Sequence, residues 1–286
     1  MRRVWAVVAA LALGSAVGAC GSGNSTSSTR APATTPATTT QAAAGKRAAT
    51  PAGAPVDPSL PRDVAVPVLM YHVITSPPVG TPFPELWVPA DRFAAEMKTL
   101  AAAGYHGVTL SQVDAHWRTG AGLPAKPLVV SFDDGYFSQY HSAAPVLRRL
   151  GWPGVLNMEV HNLHVEGGLS PRMVRSLIRD GWELAAHTIN HVDVTKVDAV
   201  TLDHEIAGSR QMLRDQFHVR VDFFCYPAGK FNAAAIAAVR AAGYKGATTV
   251  MLGLARPDQL YELRRVRVNG SDSAARVRGA LAALGA

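Results

Sequence analysis

The chain has 286 residues, 48% of them hydrophobic and 17% charged, with a formal charge of +7 and two cysteines, Cys20 and Cys225. That length allows one large or two small domains, with enough apolar residues to bury a core without disulfides. The positive excess is diffuse, with no Lys/Arg runs and no interleaved aromatics, which argues against nucleic acid as a partner.

The first 19 residues read as an export signal. Arg2 and Arg3 form a positive start, residues 4–13 are apolar, and Val17-Gly18-Ala19 precedes Cys20. A small-residue run ending in cysteine resembles the bacterial lipobox. The resemblance implies cleavage before Cys20, lipidation of its sulfur, and a mature protein tethered to the outer face of a membrane in the cell envelope. The apolar run is too short and glycine-broken to make a good spanning helix. With Cys20 lipidated, Cys225 has no partner for an intramolecular disulfide. Residues 20–62 are dominated by Gly, Ser, Thr, Ala and Pro, a composition that cannot bury a core. They are expected to form a disordered linker carrying a domain of residues 63–286 away from the membrane.

From Val64 onward strand-like and helix-like segments alternate. Residues 66–71 read as a strand ending at His72. Asp91 opens a helix with Phe93, Met97 and Leu100 on one face, closed by Gly104. Residues 108–110 read as a short strand, with Ser111 capping the next helix. Residues 128–132 form a buried strand that stops at Asp133-Asp134-Gly135, and a helix follows to Leu150. Then come a strand at 155–158, a helix from Ser170-Pro171 to Arg179, and a strand at 182–186 terminated by His187. A long helix near 200–217, a strand at 223–226, a helix at 232–242, strands at 247–250 and 263–268, and an amphipathic helix at 274–284 complete the series. Repeated strand-then-helix units predict a parallel sheet with crossover helices. About seven such units in roughly 220 residues predict closure into an α/β barrel rather than an open sheet.

Three candidate sites fall at the carboxyl ends of predicted strands, where parallel α/β proteins build their chemistry. At the first, Asp133 and Asp134 either share work, one gripping a metal and the other moving a proton, or cap the following helix. The second is His187-Thr188-Ile189-Asn190-His191. A helical turn there would point both imidazoles the same way, able to grip one ion. Two histidines and a carboxylate leave a coordination position for water, the pattern of a catalytic zinc site. Either histidine alone would read as a polar surface or core residue. The third, Tyr226-Pro227-Ala228-Gly229, is a tight turn exposing backbone N–H groups that can hold an oxyanion, although Pro and Gly mark many turns. Trp87, Trp117, Trp152 and Trp182 could stack on sugars, but isolated tryptophans are more often core. Cys225 reads as a small buried hydrophobe, and Asp222 and Asp272 have no evident partner.

Ser131-Phe132-Asp133-Asp134-Gly135, the His187–His191 segment and Phe224-Cys225-Tyr226-Pro227-Ala228-Gly229, in this order, resemble the NodB-type polysaccharide deacetylases, the fourth carbohydrate esterase family. The opening Pro67-Val68-Leu69-Met70-Tyr71-His72 is similar to the branch acting on extracellular polymers of N-acetylglucosamine. The likeness covers most of residues 64–268. It implies the family's distorted (β/α)7-8 barrel. The implied activity is metal-dependent removal of acetyl groups from N-acetylglucosamine units of peptidoglycan, a chitin-like polymer or poly-N-acetylglucosamine. Asp134, His187 and His191 would hold one divalent metal, zinc first, with cobalt or nickel as alternatives. Asp133 would be the general base, and the backbone N–H of Ala228 would help to hold the oxyanion. Tyr226, Pro227 and Arg265 would face the substrate.

Two departures from the family pattern matter. An arginine often opens the third motif and tethers the base, whereas Cys225 or Tyr226 stands there; Arg264 or Arg265 could supply that charge from the last strand. A late Leu-x-His often supplies the general acid, yet no histidine follows His218. His72 could protonate the departing amine from across the barrel, against the simpler reading of a hydrogen bond at a strand end. These gaps leave two other readings. One is an O-acetyl esterase, for which the acid matters less because an alkoxide leaves more easily than an amide nitrogen. The other is a non-catalytic glycan-binding envelope lipoprotein. The intact set Asp133, Asp134, His187 and His191 favours an enzyme, since a binding module needs no activated water.

Overall fold

The computed structural model describes residues 55–286. The expected export signal, Cys20 and most of the expected linker lie outside the described residues. The elements in chain order are β1 (Val68–Tyr71), α1 (Ala90–Ala102), β2 (His106–Gly107), α2 (Leu110–Thr119), β3 (Pro127–Asp134), α3 (Ala144–Leu150), β4 (Val155–Met158) and α4 (Pro171–Arg179). They continue with β5 (Glu183–Ala186), α5 (Ala199–Asp203), α6 (Ser209–Phe217), β6 (Phe223–Cys225), α7 (Ala233–Ala241), β7 (Gly246–Leu252), β8 (Leu263–Arg267) and α8 (Ala274–Ala283). Strand β1 pairs in parallel with both β3 and β8, so seven strands close into a parallel barrel in the order β1-β3-β4-β5-β6-β7-β8. Strand β2 joins β3 only at Pro127 and Leu128, before the stretch that β1 occupies.

Side-chain alternation along these short strands sets what faces the barrel axis. Val68, Val129, Val155, Ala185, Phe223 and Leu263 fill the amino-terminal half of the interior. Their neighbours Leu69, Val130, Leu156, Leu184 and Phe224 turn outward into the helix layer. Two residues further along, the inward positions become Ser131, Asn157, Cys225 and Arg265, all buried. One more step on β3 brings Asp133 inward. The apolar plug therefore ends where polar chemistry begins, at the carboxyl-terminal mouth.

Several local expectations differ from what is observed. Residues 108–110 are not a strand: β2 lies earlier, and Thr109 rather than Ser111 caps α2, its hydroxyl accepting from Gln112 N–H while the Gln112 side chain accepts from Thr109 N–H. The ordered domain also starts before residue 63. Val56 bridges to Pro124, Asp57 N–H bonds to Leu123, and His116 Nε2 lies 3.0 Å from the Pro61 carbonyl oxygen, because α2 leaves polar groups that this lead-in segment covers. Trp117, Trp152 and Trp182 are core residues. Asp222 finds Lys245 at 2.7 Å, and Asp272 finds Arg276 at 2.6 Å. The long helix near residue 200 is broken into α5 and α6 by a π-turn at His204–Gly208, and a second π-turn, Gln139–Ala143, precedes α3. Among the described residues, no helix is long and apolar enough to cross a membrane.

Candidate active site

Asp133 stands at the centre of the mouth, buried and clamped. Arg265 Nη1 donates to its Oδ1 at 2.7 Å and Nη2 to its Oδ2 at 2.8 Å, a bidentate charge-assisted pair. Asn157 Nδ2 donates to Oδ1 at 2.7 Å. Burial is the largest single influence and raises the Asp133 carboxyl, but the Arg265 charge, His72 and the Arg265 hydrogen bond together outweigh it and hold it well below the usual carboxylate range. His72 Nε2 lies 3.7 Å from Asp133 Oδ2. Burial depresses the His72 imidazole despite the nearby carboxylates.

Alternation would aim Asp134 away from Asp133. Its φ of 72° breaks the strand course, and its carboxylate turns instead toward the histidines. His187 Nε2 lies 3.3 Å and His191 Nε2 3.6 Å from Asp134 Oδ1. Gly135 follows with φ 91°, a left-handed course that side chains rarely adopt and glycine takes without strain, and a Cβ there would also press on the Met158 thioether. The segment between the histidines is not the helical turn expected from their spacing. Thr188 has φ 64° and His191 φ 52°, and this left-handed course brings the two rings together.

This donor set suits a divalent cation. Asp134 Oδ1 is a buried oxygen with no hydrogen-bond partner, and two imidazole nitrogens converge on it. His187 Nδ1 lies 2.7 Å from the Cys225 carbonyl, so a ring that donates there from Nδ1 would offer its Nε2 lone pair to a cation. In the chain alone, burial lowers the imidazole, but Cys225 and Asp134 outweigh it and raise it well above its ordinary value. Burial, with a smaller contribution from the His187 charge, holds His191 below the usual imidazole range, a direction that favours the neutral ring ligation requires. Asp133, His187 and Cys225 form a second cluster of potential donors. There the Arg265 guanidinium already contacts both Asp133 and Cys225, and His187 Nδ1 faces a carbonyl, so the cation's place is taken.

The third motif forms a tight turn after β6. Gly229 and Lys230 N–H close it onto the carbonyls of Tyr226 and Pro227, and the Ala228 N–H takes part in neither bond. Ala228 itself is left-handed, with φ 51°. All three residues expected to face substrate are buried. Tyr226 is fully buried and follows the outward phase of β6, stacking on Phe231 and edge-on to Phe224 in the helix layer. Arg265 is 1% exposed, its Nε bonded to the Thr249 carbonyl at 2.7 Å and the rest of its fork on Asp133, Ser131 and Cys225. It holds Asp133 and presents no surface at the mouth. Pro227 is buried within the turn. Arg264, on the opposite phase of β8, bonds Gln259 and the Leu252 carbonyl.

Sequence reasoning missed Asn157, Gln139, Glu159 and Glu205. Asn157 left a signal, a lone amide inside the apolar run of β4. Gln139 Nε2 donates to the carbonyls of Asp133 and His72. Burial and the Asp134 charge push the Glu159 carboxyl up to about 7. Glu205 binds the backbone between the two histidines.

A closed parallel barrel with this mouth defines an enzyme-like scaffold suited to metal-assisted hydrolysis. The family model described as polysaccharide deacetylase matches residues 120–247. YxkH of Bacillus subtilis (strain 168), assigned as a polysaccharide deacetylase, is 30% identical over 205 residues, spanning 71% of this chain and 71% of that protein. The poly-beta-1,6-N-acetyl-D-glucosamine N-deacetylase of Escherichia coli (strain K12) is 26% identical over 213 residues, which is 59% of this chain and 32% of that protein. The Streptococcus pyogenes deacetylase PplD, solved in complex with acetate, shares the fold with a TM-score of 0.71 at 21% identity, covering 76% of this chain and 98% of that one. The chain thus belongs to the polysaccharide deacetylase family.

Proposed function

We propose that this protein is a metal-dependent N-deacetylase acting on N-acetylglucosamine units of a cell-wall or extracellular polysaccharide. The observation that carries the reading is the unpartnered, buried Oδ1 of Asp134 with two imidazole nitrogens converging on it. Asp134, His187 and His191 would hold the cation. When bound, a divalent cation there supplies Lewis acidity, polarising the acetamide carbonyl and lowering the pKa of a coordinated water toward about 7.

The chain's own groups divide the proton work. Asp133 Oδ2 is the base that accepts a proton from the attacking water. Held so acidic by Arg265, it keeps that proton only briefly, and His72 Nε2 stands 3.7 Å away to receive it. His72 then protonates the departing nitrogen, which cannot leave as a free anion. The Ala228 N–H is the donor for the developing oxyanion, a contribution typically worth ~10²–10³ in rate. Export and a lipid anchor at Cys20, read from the sequence pattern, would keep this chemistry at the outer membrane face.

The test is acetate release from poly-β-1,6-N-acetylglucosamine and chitin oligomers, peptidoglycan and acetylated xylan after reconstitution with zinc, cobalt or nickel. Acetate from an N-acetylglucosamine substrate, abolished by a chelator and by His187→Ala, is the expected result. Activity indifferent to both the chelator and Asp133→Asn would sink the reading. His72→Ala is expected to lose amide hydrolysis far more than hydrolysis of an acetyl ester, because an ester's leaving group needs less help from an acid. Equal losses would remove His72 as the proton donor.

A further inference from the structure

Helices α5 and α6 are one helix interrupted by the π-turn His204–Gly208. A π-turn inserts a residue and rotates the helix before it relative to the helix after it; such turns are rare and gather at functional sites. Glu205 lies in this one, 2% exposed, with its carboxylate turned toward the loop between His187 and His191. Its Oε2 accepts the N–H groups of Ile189 at 2.8 Å and Asn190 at 3.0 Å, and its Oε1 accepts Asn190 Nδ2 at 2.8 Å.

That loop needs holding. Thr188 and His191 are both left-handed, and for a β-branched residue such as Thr188 this is a true outlier. Strained conformations persist only where the surroundings over-determine them. The loop's carbonyls are held by backbone donors, Thr188 by Val160 N–H at 3.2 Å and Ile189 by His161 N–H at 2.9 Å. Its amides at Ile189 and Asn190 rest on the single carboxylate of Glu205. The π-turn Gln139–Ala143 repeats the arrangement on the other side of the mouth, where buried Gln139 donates to the Asp133 carbonyl at 2.6 Å and the His72 carbonyl at 2.9 Å. Each π-turn thus aims one buried side chain at the backbone that carries the site.

We infer that Glu205 is a positioning residue of the metal centre, holding the His187–His191 loop in the left-handed course that turns both Nε2 atoms toward Asp134. The inference rests on the metal-binding reading above and extends it to a residue that touches neither cation nor substrate. The experiment titrates zinc into the chelator-treated full-length protein against a chromophoric competitor, and records the visible absorption of the cobalt-loaded form. Glu205→Gln, nearly isosteric, is expected to weaken zinc affinity by about 10–100-fold, the usual effect of losing an outer-shell partner, and to alter the cobalt bands. A merely structural role would lower thermal stability and leave both readouts alone. Parental affinity and bands in folded Glu205→Gln overturn the inference while the metal reading stands; a parent that binds no divalent metal overturns both. If Glu205→Gln does not fold, Asn190→Ala decides, since it removes one of the three bonds from an exposed position. Weakening of about threefold or more then supports the inference, and parental affinity overturns it.

Discussion

Arg265 illustrates how much one side chain can settle. Its planar fork matches the Asp133 carboxylate in two parallel bonds, a match that lysine cannot reproduce. Arg265→Lys keeps the charge but loses the geometry, leaving Asp133 free to swing. Misplacement of a reacting group by about 1 Å costs on the order of 10²-fold in rate, so kcat should fall by about that factor. Asp134, His187 and His191, the proposed metal ligands, make no hydrogen bond to Arg265, so metal content by elemental analysis should match the parent. Loss of metal together with activity would show that Arg265 supports the whole mouth and not the base alone. The sequence leaves Arg264 and Arg265 equivalent, both charged and both on the last strand. Only the phase of β8 separates them, and phase depends on a register set across the barrel by residues far away in sequence. Asp133, Asp134, His187 and His191 were legible because adjacent acids after an apolar run, and paired histidines after another, are local signals. Glu205 and Gln139 were not, since their targets are backbone groups and their aim depends on π-turns that no simple periodicity announces.

At the scale of elements, the strands and helices were legible where apolar spacing was regular, and failed where a cap decided the boundary, as Thr109 does for α2. The seam between β1 and α1 shows what else local patterns hide. Glu96 is fully buried on α1, an unusual residue for a core position, and accepts the Tyr71 hydroxyl at 2.8 Å. Burial pushes its carboxyl up to about 7 against an ordinary value of 4.5, the Tyr71 bond opposing and Asp272 adding to the rise. A group whose folded pKa lies above its unfolded one binds its proton more tightly in the folded chain. Its contribution to stability is therefore full below about pH 4.5 and is lost as pH rises through about 7. Glu96→Gln cannot ionise, so the variant should gain on the parent by up to about 3 kcal/mol between pH 4.5 and 8. Denaturant unfolding at a series of pH values checks this. Curves for parent and variant that stay parallel would rule Glu96 out as the titrating group.

Across the whole molecule, the two ends of the barrel are built differently. At the amino-terminal end, two carboxylates pair with cations, Asp222 with Lys245 at 2.7 Å and Asp114 with Arg118 at 3.1 Å, and Glu183 takes both the N–H and the hydroxyl of Ser111. At the mouth, Asp134, Thr188, His191 and Ala228 are all left-handed, and Asp134 Oδ1 has no hydrogen-bond partner. Four of the seven left-handed non-glycine residues among the described ones thus lie at the mouth, where chemistry is expected. Lys126 and His218 lie toward the opposite end, where Asp114 Oδ1 also lacks a hydrogen-bond partner, so the mouth carries the larger share of the strain and the other end most of the paired carboxylates. Two substitutions separate these roles. Asp222→Asn should lower unfolding free energy by about 1–3 kcal/mol, the loss being moderated because Lys245 is partly exposed, and leave kcat/KM at the parental value. Ala228→Gly should behave in the opposite way. Glycine adopts the left-handed φ of 51° without the Cβ clash but adds freedom to the unfolded chain, so stability should stay within about 1 kcal/mol of the parent. The same freedom loosens the turn that fixes the proposed oxyanion donor, and kcat should fall about tenfold with KM little changed. Paired unfolding and kinetic measurements on both variants decide the matter. If each variant loses stability and turnover in proportion, the barrel does not divide its labour between its ends, and the left-handed residues at the mouth are incidental to catalysis.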